Sequence, residues 1–106
     1  IVQSSIFLVA EADGQIVGVL RGRKERLASL FVRKEFHRQG IGRSLVHAFE
    51  AEMRAQGVAI IRVAATLYAV PFYSNLGYKK STGVRKSWSF DGYGLPVQPM
   101  KKTLQG

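Results

Sequence analysis

The sequence contains no cysteine, and that absence removes disulfide frameworks, thiolate nucleophiles and cysteine-based zinc sites from consideration. Its two histidines, His37 and His47, are too few for a metal cage, so metal-free chemistry is expected. No segment approaches the roughly 20 uninterrupted apolar residues of a membrane-spanning helix, and the opening IVQSSIFLVAEADG has neither a basic start nor a cleavage-site pattern. A cytoplasmic protein with no membrane partner is the expectation. Acidic residues are scarce as well: seven Asp and Glu stand against sixteen Lys and Arg, a formal charge of +9. The excess is uneven, with eight basic and two acidic residues between Arg21 and Arg43, and four basic and no acidic residues between Lys79 and Lys86. A one-sided field attracts polyanions, and a phosphate-bearing partner, nucleotide or nucleic acid, explains it better than a surface tuned for solubility.

What is present suffices for one compact domain over residues 1–106, since 46% of the residues are apolar. The β-prone run Ile6 to Glu11, an Asp13-Gly14 turn and the run Ile16 to Leu20 predict a hairpin. Leu27 to Val32 predicts a third strand. From Gly42 the period changes: Ile41, Leu45, Ala48, Phe49 and Met53 recur at helical steps, and Arg43, Ser44, His47, Glu50 and Arg54 are placed on the opposite, solvated side. Gly57 should close this helix, and Val58 to Ala64 reads as a strand buried on both faces and paired in parallel. A shorter helix over Leu67 to Leu76, with Thr66 as N-cap and Pro71 in its first turn, should end at Gly77. Tyr78-Lys79-Lys80 begins another strand. The tail is read as one or two edge strands, Lys86 to Phe90 and Val97 to Leu104, around an Asp91 to Gly94 turn. The fold class is mixed α/β (α+β).

The stretch Phe36-His37-Arg38-Gln39-Gly40-Ile41-Gly42-Arg43-Ser44 lies where a strand meets a helix N-terminus, whose unpaired N–H groups and dipole suit an anion. Glycines there would let a pyrophosphate approach the main chain, and Arg38 and Arg43 would add charge-assisted contacts. A dinucleotide fingerprint needs a third glycine where Leu45 stands, and a P-loop needs Gly-Lys-Ser/Thr where the sequence has Gly42-Arg43-Ser44. Neither spacing fits. Two glycines alone would more simply be a turn that starts a helix.

The run Leu30-Phe31-Val32 followed by Phe36 to Leu45 resembles motif A of the GCN5-related N-acetyltransferase superfamily, whose signature is Gln/Arg-x-x-Gly-x-Gly/Ala. His37 departs from the first position; Gly40 and Gly42 match the glycine positions. Ala69-Val70-Pro71-Phe72-Tyr73-Ser74-Asn75-Leu76-Gly77-Tyr78 is similar to the family's A-x-x-F-Y-x-x-x-G-F segment, and Met100 to Leu104 resembles its last core strand.

The resemblance implies a twisted, mostly antiparallel sheet with flanking helices, splayed between the strands Leu27 to Val32 and Val58 to Ala64. It implies acetyl-coenzyme A as co-substrate, transferring its acetyl group directly to a primary amine on a small molecule or peptide. The pyrophosphate would rest on Arg38, Gln39, Gly40, Ile41, Gly42, Arg43 and Ser44, with His37 at the position of the family's side-chain contact. The pantetheine arm would run along Leu30, Phe31 and Val32, where a main-chain N–H polarises the thioester carbonyl. Tyr73 takes the place of the tyrosine that protonates the departing thiolate, although outside that motif it would read as an aromatic packing residue. Thr66 stands near a pantetheine-contacting position but serves equally as a helix N-cap. The strand Leu27 to Val32 offers no carboxylate as general base, and Glu25 and Glu35 only flank it. Trp88, Phe90 and Tyr93 either wall an acceptor pocket or belong to the core, and His47 is read as solvated.

Relatives usually begin with a strand and one or two helices that precede the hairpin and help form the acceptor side. This chain opens almost directly on the hairpin, so that side would be open or completed by another subunit of a homodimer. Two alternatives remain: a non-catalytic coenzyme A-binding module, and, less favoured, a basic nucleic-acid-binding domain without a base-stacking platform.

Overall fold

A computed structural model describes residues 5–88 and 94–104, and at 86–88 and 94–95 only the main chain. Strands β1 (Ile6–Ala12) and β2 (Gln15–Arg23) form the expected hairpin. Asp13 and Gly14, at φ 52° and 76°, supply the left-handed pair that matches a tight turn to the twist of its strands. β3 (Arg26–Val32) follows antiparallel to β2, and α1 (Ile41–Ala55) leads to β4 (Ile60–Thr66). A short 3₁₀ turn, Leu67–Ala69, and helix α2 (Val70–Asn75) come next, then β5 (Lys79–Lys80), β6 (Arg85–Trp88) and β7 (Gly94–Thr103). Spatially the strands run β1-β2-β3-β4-β7-β5, with β6 also on β7. Every pairing is antiparallel except β3 with β4.

Both α-helices end as the glycines predict. Val58 N donates to Met53 O (2.9 Å) and Gly57 N to Arg54 O (3.0 Å), while Tyr78 N donates to Tyr73 O (3.0 Å) and Gly77 N to Ser74 O (3.1 Å). These paired bonds satisfy carbonyls that the last turn leaves open.

The core lies between the sheet and α1, built from Leu20, Leu27, Leu45, Val46, Phe49, Met53, Ile61, Val63 and Met100. A β-carbon at Gly22 would stand 2.7 Å from Phe49 Cε1, so β2 admits the helix only because that position is bare.

Four expectations need correction. The buried stripe of α1 is Leu45, Val46, Phe49, Glu50 and Met53; Ala48 is exposed, because the sheet contacts the helix over a face rotated toward Val46 and Glu50. β4 is buried on one face only: Ile61, Val63 and Ala65 point inward while Arg62, Ala64 and Thr66 are exposed. β7 is not an edge strand, since it pairs with β4 on one side and with β5 and β6 on the other. Thr66 closes β4 but makes no side-chain capping bond, because a 3₁₀ turn rather than α-helix follows it. Phe90, Tyr93 and most of the expected Asp91 to Gly94 turn lie outside the described residues, as does the Trp88 side chain. Among the described residues, no helix is long and apolar enough to cross a membrane.

Candidate active site

β3 and β4 pair only at Arg26↔Arg62 and Leu27↔Val63. Beyond Leu27 the strands part, while β3 stays paired with β2 as far as Gly18↔Val32. Arg33 N donates to Val17 O (2.8 Å), and the alternation of an antiparallel ladder then turns the N–H and C=O groups of Leu30 and Val32 away from β2, into the gap. A cleft of about 580 Å³ lies there. Leu30 and Val32 line it from β3, and Tyr68, Ala69, Phe72 and Asn75 from the segment after β4. Phe36, His37, Arg38, Gly40, Ile41, Gly42 and Arg43 form the remaining side.

The loop enters α1 through two left-handed residues, Arg38 (φ 65°) and Gly40 (φ 79°). For Arg38 that conformation costs about 1 kcal/mol, a strain localised at the mouth of the cleft. The first intrahelical bond is Ser44 N to Gly40 O (3.0 Å), and Gly40 caps without a side chain. The N–H groups of Ile41, Gly42 and Arg43 are thus left without helical partners where the helix dipole is positive.

The two glycines have different reasons to be there. Nothing lies within 4 Å of where a Gly40 β-carbon would be, so Gly40 answers to its positive φ. A Gly42 β-carbon would sit 3.3 Å from Phe72 Cζ, so Gly42 lets the aromatic cleft wall close on the helix.

His37 Nε2 lies 2.8 Å from Val32 O, tying the loop to the end of β3. Phe31 projects from the other face of the sheet and is 64% exposed; only its neighbours Leu30 and Val32 line the cleft. Gln39 and Ser44 line a separate groove of about 280 Å³ between β1 and α1. Thr66 is exposed and does not line the cleft.

Tyr73 is buried and is not among the cleft-lining residues; its ring meets Phe72 edge-on at 5.1 Å and Tyr78 at 5.5 Å. Burial pushes its hydroxyl up to about 12. Behind it stands a polar cluster that the helical periodicity mislocated. Glu50, 2% exposed, accepts from Tyr78 Oη (2.9 Å) and takes Lys102 Nζ on both carboxylate oxygens (3.1 Å each). Burial first, then the charge and hydrogen bond of Glu50, push the Tyr78 hydroxyl far above the usual tyrosine range. Neither flanking carboxylate reaches the cleft lining: Glu35 pairs with Arg33 (3.1 Å), and Glu25 sits in the turn between β2 and β3.

An acetyltransferase (GNAT) domain profile matches residues 1–104. The chain belongs to the GNAT acetyltransferase family. Human N-acetyltransferase 8 is 34% identical over an alignment of 92 positions that covers 74% of this chain and 40% of that protein. A GCN5-related N-acetyltransferase from Rhodopseudomonas palustris superposes with a TM-score of 0.89 at 26% identity, over 94% of this chain and 62% of that one. A PaiA N-acetyltransferase from Thermoplasma acidophilum, solved in complex with coenzyme A, has a TM-score of 0.76 at 22% identity over 94% and 61% of the two chains. The chain thus spans less than two thirds of the length of each of these relatives.

Within this GNAT domain the structure gathers Leu30, Val32, His37, Arg38, Gly40, Ile41, Gly42 and Arg43 around one cleft, and leaves the Phe31, Gln39, Ser44, Thr66 and Tyr73 side chains off its lining. Sequence reasoning missed Phe36, Tyr68, Ala69, Phe72 and Asn75 as lining residues. Phe72 was visible as part of the matched Phe-Tyr pair, but only the contact with Gly42 shows which of the two rings faces the cleft.

Proposed function

We propose that this domain transfers the acetyl group of acetyl-coenzyme A directly to a primary amine. The observation that carries the reading is the cleft in which the Leu30 and Val32 main chain faces the unpaired N–H groups of the first turn of α1. A pantetheine arm can pair with the free edge of β3, and its pyrophosphate can accept from Ile41, Gly42 and Arg43 N–H, with Arg38 and Arg43 adding charge. Gln39 and Ser44 would take part through the main chain alone. The coenzyme A bound by the fold relative from Thermoplasma acidophilum supports the same ligand class here.

Amine nitrogen attacks the thioester carbonyl, the C–N bond forms, the C–S bond breaks, and the proton lost by nitrogen ends on sulfur. A β3 N–H aimed at the carbonyl oxygen stabilises its developing charge. Tyr73, held near 12, stays protonated at neutral pH, so its part is to hydrogen-bond the departing sulfur rather than to ionise. Reaching the sulfur requires Phe72 to give way. The acceptor is an amine on a small molecule or peptide; the setting is cytoplasmic, with a second copy of the chain as the candidate to close the acceptor side.

Calorimetry at low salt should detect one acetyl-coenzyme A per chain, and thiol release should follow on addition of an amine panel. Tyr73→Phe should lower kcat more than tenfold with KM for the coenzyme little changed; equal losses, or none, would remove its role. A second reading, coenzyme binding without catalysis, is favoured by the lack of any carboxylate among the cleft-lining residues. Tight binding with no thiol release would decide for it.

A further inference from the structure

The charge excess is divided between two places. Arg38 and Arg43 stand at the cleft, where β3 ends. At the other end of β3 the strand register lines up a second set: Arg23↔Arg26, Arg26↔Arg62, Arg62↔Lys101 and Lys101↔Lys79 are successive cross-strand partners. Directly opposed residues point to one face, so β2, β3, β4, β7 and β5 present five cations in a single row. All five are exposed, and their neighbours Leu27, Ile61, Val63, Met100 and Tyr78 are buried on the α1 side. The row therefore crosses the face away from α1. Lys102, one residue from Lys101, points the other way, to Glu50.

Like charges placed directly opposite one another destabilise a sheet, and here four such pairs follow in succession. Among the described residues the ion pairs are Arg33–Glu35 and Glu50–Lys102, and none of the five cations is in either. None of these five strands contains an acidic residue, and the nearest in sequence is Glu25, in the turn between Arg23 and Arg26. Neither the fold nor the cofactor cleft accounts for this arrangement.

We propose that the row is a docking surface for the phosphate backbone of double-stranded nucleic acid. With strands about 4.8 Å apart, five cations span about 19 Å. Over that length of axis the two strands of a duplex carry about eleven phosphates and wind through just over half a turn, so the near-side ones, about four or five, face the row. An extended acidic peptide rises about 3.3 Å per residue but turns alternate side chains away, so the same length offers only about three carboxylates to one face. The formal charge of +9 and sequence pI of 10.4 agree with a nucleic-acid surface. Among the described residues no aromatic stands in the row, which favours a duplex over a single strand held by base stacking. The surface is independent of acetyl transfer.

Fluorescence anisotropy with a labelled 20-base-pair DNA duplex, from 50 to 200 mM NaCl, tests the proposal. Binding should be micromolar at low salt, with log K falling against log salt at a slope of about −4 if four to five phosphates are neutralised. Arg62→Gln with Lys101→Gln should weaken binding at least tenfold and make the slope shallower by about 2. Arg33→Gln, a cation outside the row, should change it little, and saturating acetyl-coenzyme A should not displace the duplex. Should that double variant misfold by circular dichroism, Arg23→Gln with Arg26→Gln reads the other end of the row by the same criteria. Absence of duplex binding, an unchanged slope in the row variants, an equal loss in Arg33→Gln or displacement by acetyl-coenzyme A would each overturn the proposal. Tighter binding of a 20-residue polyglutamate would assign the row to an acidic protein segment instead.

Discussion

At the first turn of α1 the N–H groups of Ile41, Gly42 and Arg43 face an open cleft without helical partners, whereas further along the same helix Glu50 is enclosed by Lys102 and the Tyr78 hydroxyl. One end leaves its donors open to the cleft, and no acidic residue stands in that first turn to offset its positive potential. The middle does the reverse: a carboxylate that would be costly to bury alone has both oxygens occupied. The difference shows how one helix serves a site and a core. Unsatisfied polar groups are tolerable where solvent or ligand reaches them, and ruinous where neither does.

The comparison breaks most sharply at the closed end. Glu50→Ala should lower stability by about 3–5 kcal/mol, read from urea denaturation, because it strands Lys102 and the Tyr78 hydroxyl. Replacing both partners by apolar residues, Glu50→Leu with Lys102→Met, should recover much of that loss; no recovery would mean the pair itself stabilises the fold.

Next in size is the response to alkali. A tyrosine whose folded value is raised keeps its proton while the unfolded chain gives it up, so the stability it contributes is intact below pH 10 and lost as pH rises toward 12. For Tyr73, held near 12 against an ordinary value of 10.0, this loss is about 3 kcal/mol. Over that window the urea midpoint of wild type should fall relative to that of Tyr73→Phe, which has no hydroxyl to titrate, and parallel curves would show that Tyr73 is not the titrating group.

At the open end the effects should fall on binding rather than folding. Gly42→Ala pushes a β-carbon against Phe72, and displacing that wall should weaken acetyl-coenzyme A by about 2 kcal/mol, some thirtyfold, in a calorimetric titration. Gly40→Ala meets no atom and should cost about 1 kcal/mol through its φ alone, seen as a small shift of the urea midpoint. If Gly40→Ala weakened the coenzyme more than Gly42→Ala does, the division of labour between the two glycines would be wrong.

Local chemistry made much of this legible. Asp13-Gly14 announces its hairpin, Gly57 and Gly77 end their helices, and Gly40 with Gly42 marks the helix start that borders the cleft. These signals survive in one dimension because turns and caps depend on residues a few positions apart. Glu50 shows where that reading stops. By periodicity it belongs with Arg43, His47 and Arg54 on a wet face, yet Tyr78 and Lys102, 28 and 52 residues away, bury it. β4 likewise reads as buried on both sides because Val58 to Ala64 is a nearly continuous apolar run, although the sheet leaves the face of Arg62 and Ala64 exposed.

By itself the sequence determined the order of elements, the glycine-bounded helix start and the resemblance that named the family, since each rests on short-range backbone preferences and motif spacing. Tertiary structure alone decided that the expected splay of β3 from β4 begins right after Leu27, that Phe72 rather than Tyr73 lines the cleft, that Glu50 is buried with its partners, and that five cations from five strands share one row. Strand register and helix rotation are set by packing between segments distant in the chain, and no local pattern of residues carries that information.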